Sequence, residues 1–163
     1  MSESPEPADR APQLIAIGMV QDAEAYRVAA LRTHPEGSPH RDNNLTAPAW
    51  HLLCHSAELA LKAYLLSGGA DPSARKGGVT HSSIRHNLSG LFDLAIERGF
   101  KPPDEEFGDL MEWLSPYHGA HAFRYRRTGL VRLPAPFFIA NVLEPVIADI
   151  ARTVRARWMA IQR

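Results

Sequence analysis

The stretch Trp50–Leu66, WHLLCHSAELALKAYLL, decides the fold, because it predicts a helix that is apolar on nearly every side. A helix of this kind belongs in the core of a domain rather than on its surface. One polar stripe interrupts the apolar surface, and its spacing places all its members on one helical face: His51, His55, Glu58 and Lys62. Because burying an unpaired charge is costly, this stripe needs polar partners from other parts of the chain.

The remaining sequence carries further helical patterns, separated by segments that contain proline and glycine. Apolar periodicity predicts five helices: Pro12 to about Leu31, Thr46 to a stop at Gly68-Gly69, one that begins between Ser82 and Asn87, one after Asp104, and one from about Pro136 to Ile161. Pro116 is expected to limit or kink the fourth helix, and residues 117–135 look irregular. Residues 1–11 are polar and proline-containing and are expected to form a disordered tail, with residues 12–163 as a single domain. We therefore predict an all-α, up-and-down bundle of four to five helices.

Composition narrows the class of protein. Eighteen basic and eighteen acidic residues among 163 give zero net charge, which argues against a strongly basic nucleic-acid binder but leaves room for a local basic patch. The single cysteine, Cys54, excludes an intrachain disulfide framework. Neither a membrane-length apolar run nor a signal-peptide pattern is present, so we expect a cytoplasmic protein without a membrane partner.

Three short motifs occur in a fixed order along the chain: residues 57–65 with the sequence AELALKAYL, then His86-Asn87-Leu88, then Arg124-Tyr125. In this order and spacing they resemble the HEPN family of small all-α domains, over roughly residues 14–160. The resemblance implies a bundle of four or five helices that is often a dimer. Many members are metal-independent ribonucleases of toxin–antitoxin, phage-defence or CRISPR systems. Others are non-catalytic and bind nucleic acid, nucleotides or a partner nucleotidyltransferase.

Catalytic members of that family carry an arginine followed four to six residues later by a histidine. Here His121 is the last histidine, so no histidine follows the late arginines Arg124, Arg126 and Arg127. The pair Arg75 and His81 has matching spacing but lies in a glycine-rich loop rather than near the end of a late helix. The resemblance therefore points to the non-catalytic branch: a non-enzymatic module for a partner protein, a nucleotide or RNA in a defence, toxin–antitoxin or stress-type system. A homodimer, a nucleotidyltransferase-type partner and the absence of a cofactor are further expectations.

The motif residues can form either a binding pocket or a structural polar network. In the structural interpretation, Glu58 holds Arg124 through a two-pronged hydrogen bond and ties the late loop to the core helix. Both interpretations involve the same six residues: Glu58, Lys62, His86, Asn87, Arg124 and Tyr125. A basic segment adds a way to contact RNA, through Arg124, Arg126, Arg127 and Arg132. Aromatic residues next to these arginines can stack on bases.

Two alternatives to the binding module stay open. The first is a HEPN-type ribonuclease with an atypical site, in which Arg124 or Arg126 steadies the phosphate and His86 or His121 moves protons.

The second alternative is a metal site. His51, His55 and Glu58 have the helical spacing that lets side chains converge on one ion, and His118 with His121 could complete the set.

Overall fold

The structure is a computed structural model that describes residues 7–37, 46–124 and 132–163. These ranges contain five helices: α1 (Pro7–Thr33), α2 (Thr46–Ser67), α3 (Leu88–Glu97), α4 (Glu106–Gly119) and α5 (Pro136–Ile161). The described ranges contain no strand, so the predicted all-α bundle is confirmed. Within them no helix combines the length and the apolar character that a bilayer crossing requires.

Helix α2, which contains the apolar stretch Trp50–Leu66, is the centre of the bundle. It contacts each of the other four helices. Most of its apolar side chains are buried, with Leu53, Leu61 and Leu65 all at 0% exposure. Helices α1 and α5 pack against α2 and against each other, whereas α3 and α4 pack against each other and against α2. A hydrogen bond from Ser56 Oγ to the Ala23 carbonyl oxygen (2.6 Å) joins α2 to α1 inside the core.

The end of α2 and the start of α3 are fixed by local chemistry. Gly69 adopts a φ of 84°, and the Ala70 amide donates to the Leu65 carbonyl at 3.0 Å, which closes α2 as the glycine pair predicted. Asn87 caps α3, because its side-chain oxygen accepts from the Gly90 amide at 3.0 Å. The cap places the start of α3 at the late end of the predicted interval.

Two helices are longer than expected. Helix α1 begins at Pro7, five residues before the expected start at Pro12 and within the stretch predicted to be a tail; residues 1–6 lie outside the described ranges. Proline fits the first position of a helix, where its missing N–H has no partner to lose. Helix α4 continues through Pro116 to Gly119, although we expected irregular chain from residue 117. Pro116 is exposed, so its ring disturbs only the solvent side of α4, and the extra turn brings His118 to the core.

Candidate functional site

The carboxylate of Glu58 is the centre of a buried polar cluster. Lys62 Nζ donates to Glu58 Oε1 at 2.5 Å. The other oxygen, Oε2, accepts from His118 Nε2 at 2.5 Å and lies 3.0 Å from His86 Nδ1. The side chains of Glu58, His118 and Lys62 are 3%, 4% and 7% exposed, and that of His86 is 30% exposed. We call these four residues the Glu58 cluster.

Three elements bring the cluster together. Glu58 and Lys62 are one helical turn apart on α2, so their side chains meet directly. Lys62 Nζ also donates to the Arg85 carbonyl oxygen at 2.7 Å, which fixes the turn that presents His86 just before α3. His118 comes from the last turn of α4.

His118 was not among the residues predicted for the polar network. Its position could have been read from α4, because His118 continues the buried stripe of Phe107, Met111 and Leu114 at helical spacing. The interpretation of Pro116 as a limit to the helix hid this continuation.

Glu58 is ionised at neutral pH. Burial by itself opposes the charge, but hydrogen bonds from His118, Lys62 and His86 outweigh burial and lower the pKa of Glu58 to about 2. An ionised carboxylate only accepts hydrogen bonds, so each histidine presents an N–H to Oε2. When His86 is neutral, its proton is on Nδ1 and its Nε2 is an acceptor. The cluster therefore fixes the tautomer of a histidine that is partly open to solvent.

A polar pocket of about 610 Å³ opens beside His86. His121 also lines it, and the two imidazole rings meet edge to face with centroids 5.1 Å apart. Arg85 adds a cation to the wall, while Asp93 and Glu112 add carboxylates. His86 thus belongs both to the buried cluster and to the pocket, and connects the two.

The two histidines of the α2 stripe, His51 and His55, lie outside the Glu58 cluster and have different surroundings. The His55 ring packs edge-on against Tyr26 at 4.7 Å, and the His51 ring stacks on His55 at 6.3 Å. Burial lowers the pKa of both, and the charge of Arg124 lowers the pKa of His51 further.

Glu58, His86 and His118 form a group of possible metal-ligand atoms that all lie within 4.8 Å of one another. Among the described residues, this is the one group of three histidine, cysteine or carboxylate side chains whose possible ligand atoms lie this close together. Of the residues named in our metal alternative, Glu58 and His118 belong to this group, whereas His51, His55 and His121 lie outside it.

The expected pair between Glu58 and Arg124 is not formed, so that prediction is wrong. Donors from α2, α4 and the turn before α3 already surround the carboxylate, and Arg124 is exposed beyond the end of α4. Phe123 instead holds this segment against the bundle, with its ring centroid 5.8 Å from that of Trp50 and 6.1 Å from that of Tyr117.

The remaining predicted site residues divide into two groups. Asn87 lines the pocket as well as capping α3, and Arg132 is exposed. The other three lie outside the described ranges: Tyr125, Arg126 and Arg127.

A scan against protein-family models and searches of curated proteins and of solved structures found no match. The class of protein is therefore defined by its own features. It is an all-α bundle in which a buried carboxylate, lysine and histidine cluster opens onto a polar pocket.

Proposed function

We propose that this protein is a non-enzymatic HEPN-like binding module whose pocket takes a nucleotide or a nucleotide unit of RNA. The observation that carries the proposal is the composition of the pocket wall, where Arg85, His86 and His121 share one cavity with Asp93 and Glu112. In this proposal the module serves a defence, toxin–antitoxin or stress-type system, as the motif resemblance implies.

A nucleotide matches both kinds of side chain in the pocket. Its phosphate can accept hydrogen bonds from the Arg85 guanidinium, which is the side chain best suited to planar recognition of phosphate oxygens. Its ribose hydroxyls and base amino groups are donors, which suits the carboxylates of Asp93 and Glu112. The volume of about 610 Å³ lies within the range of roughly 300–1,000 Å³ that small-ligand sites occupy.

Basic residues next to the pocket extend the surface on which a longer RNA could lie. The Arg124 amide donates to the His121 carbonyl oxygen at 3.0 Å, so this exposed arginine directly follows the pocket wall. Arginine and lysine contacts to phosphate supply affinity without reading sequence. RNA is therefore expected to bind more tightly than a mononucleotide and with stronger dependence on salt.

Calorimetric titration with AMP, GMP and a short single-stranded oligoribonucleotide tests the proposal. Arg85→Ala should weaken binding by roughly tenfold or more, since a hydrogen bond to a charged group is worth about 1.5–3 kcal/mol. Arg152→Ala is the matched control, because Arg152 is an exposed arginine of α5 that pairs with Asp149 at 2.7 Å and does not line the pocket. Absence of binding by the unmodified protein, or equal losses in both variants, would overturn the proposal.

A second candidate function, metal-independent ribonuclease activity, is favoured by one specific observation. Glu58 orients His86, and the His121 ring lies beside it with the two ring centroids 5.1 Å apart. In this candidate mechanism the two imidazoles share the proton transfers, while Arg124 steadies the phosphate. Cleavage of structured RNA in the presence of a chelator, lost in His121→Ala and kept in Arg152→Ala, would replace the non-enzymatic proposal with this one.

The proposal also includes the oligomeric state of the protein. The resemblance implies a homodimer, and in some systems a nucleotidyltransferase-type partner. Light scattering of the purified protein should then give twice the chain mass of 18.0 kDa. A monomeric mass at micromolar concentration would contradict the dimer.

A further inference from the structure

We infer that Glu58, His86 and His118 form a binding site for one divalent transition-metal ion of the zinc type. This goes beyond the proposed nucleotide binding, which needs no metal. The inference starts from the convergence of one carboxylate oxygen and two imidazole nitrogens, which all lie within 4.8 Å of one another. These atoms come from three separate elements, so the fold rather than one helix assembles the set.

The distances suit an ion at the common point of the three side chains. Glu58 Oε2 lies 2.5 Å from His118 Nε2 and 3.0 Å from His86 Nδ1. Ligands about 2.1 Å from a tetrahedral zinc ion are roughly 3.4 Å apart from each other. For an ion to lie between these atoms, each of the two distances would have to lengthen by less than about 1 Å. Each imidazole would then present a lone pair to the ion and carry its proton on its other ring nitrogen.

The chemistry of the donors selects the kind of metal. Two imidazoles and one carboxylate are ligands that Zn²⁺ and its first-row neighbours accept, whereas Ca²⁺ and Mg²⁺ prefer oxygen ligands alone. Three protein ligands with a fourth position left for water or a ligand are typical of zinc sites that are not purely structural. The partly exposed His86 ring forms part of the pocket wall, so the pocket is the side from which a fourth ligand would approach the ion.

The surroundings of the carboxylate also suit a metal ligand, with one opposing factor. Lys62 Nζ holds Glu58 Oε1, which fixes the orientation of the carboxylate and leaves Oε2 for the ion. The Lys62 ammonium contacts the same carboxylate and repels a second cation there. We therefore expect moderate rather than very tight affinity for the metal ion.

Metal titration of tag-free, chelator-treated protein tests the inference without any nucleotide present. Zn²⁺ should bind in a 1:1 ratio, as measured by calorimetry and by elemental analysis after gel filtration. Co²⁺ should give the intense visible absorption of a four-coordinate site. The His86→Ala variant should bind at least roughly tenfold more weakly, since losing even an outer-shell partner costs 10–100-fold in affinity. His86 is the ligand most open to solvent, so this variant is the one expected to fold.

His55→Ala provides the matched control, because it removes another half-buried histidine of the same region that lies outside the converging group. Unchanged Zn²⁺ affinity in His55→Ala together with weak binding in His86→Ala supports the assigned ligands. Loss in His55→Ala instead would move the site to the α2 histidine pair and overturn the assignment. Absence of stoichiometric Zn²⁺ or Co²⁺ binding would overturn the site itself and leave the nucleotide proposal standing.

Discussion

His118 Nε2 lies 2.5 Å from Glu58 Oε2, although 60 residues separate the two along the chain. Their side chains are 4% and 3% exposed, so this contact fixes α4 to α2 inside the bundle. A charged carboxylate at such a position is stable only while its donors stay in place. The energetics of the fold and the chemistry of the site therefore depend on the same atoms.

Replacement of Glu58 by glutamine should strongly destabilise the protein. Glutamine keeps the shape but removes the charge that compensates Lys62, and removal of one partner of a buried ion pair costs about 3–5 kcal/mol. Denaturant unfolding followed by circular dichroism measures the loss. Glu97→Gln, an exposed position at the end of α3, should stay within about 0.5 kcal/mol of the unmodified protein. Equal stabilities for the two variants would show that the cluster contributes nothing to the fold.

The contribution of Glu58 should disappear in acid. Its hydrogen bonds lower the pKa from the ordinary 4.5 to about 2, so the unfolded chain takes up a proton at higher pH than the folded chain does. The stabilisation is therefore fully present above about pH 4.5 and is lost as the pH falls towards 2, with a total on the order of 3 kcal/mol. Unfolding of the unmodified protein and of Glu58→Gln, measured in a chelator from pH 7 to pH 3, should give a difference that shrinks with acidity. A constant difference would contradict this origin of the shift.

Local chemistry explains why much of the bundle could be predicted from the sequence. The last helix runs from Pro136 to Ile161 as expected, since proline at the first position and an unbroken apolar stripe define it without help from other elements. The stop after Ser67 is likewise local, because Gly69 supplies the positive φ that closes α2. The apolar surround of Glu58 predicted its burial and its need for partners.

The identity of those partners could not be predicted, because it depends on how separate elements pack. Arg124 and His118 are both suitable donors for a carboxylate, and nothing local ranks one above the other. The choice followed from the continuation of α4 past Pro116, which carries His118 inward and leaves Arg124 on the surface. The pocket beside His86 was also not predictable, since it forms where the turn before α3 meets the end of α4.

Removal of the Arg157 side chain should loosen the end of α2. Arg157 Nη1 donates to the Tyr64 carbonyl at 2.8 Å and to Ser67 Oγ at 2.9 Å, and its guanidinium lies 4.4 Å from the centre of the Tyr64 ring. The Tyr64 carbonyl also accepts from the Gly68 amide at 3.2 Å and from Ser67 Oγ at 2.9 Å, so Arg157 adds a charged donor to this helix end. The guanidinium also adds a cation–π interaction with the Tyr64 ring. Arg157→Ala is expected to cost about 1–3 kcal/mol in denaturant unfolding. Arg155→Ala, an exposed arginine on the same helix, should cost less than about 0.5 kcal/mol, and a similar loss in both would refute the assigned contacts.

Two substitutions at Asn87 separate its structural role from a role in binding. Its Oδ1 accepts from the Gly90 amide at 3.0 Å and from Ser115 Oγ at 2.9 Å, so it caps α3 and joins α3 to α4. Asn87→Ala should cost about 0.5–2 kcal/mol, whereas Asn87→Asp keeps an acceptor at the cap and should restore most of that stability. Because Asn87 also lines the pocket, the aspartate adds a negative charge where the proposed phosphate ligand would bind. Unfolding and AMP titration of the two variants should therefore diverge: Asn87→Asp is the more stable protein and the weaker binder. If Asn87→Asp binds AMP as tightly as the unmodified protein, the phosphate does not lie near α3.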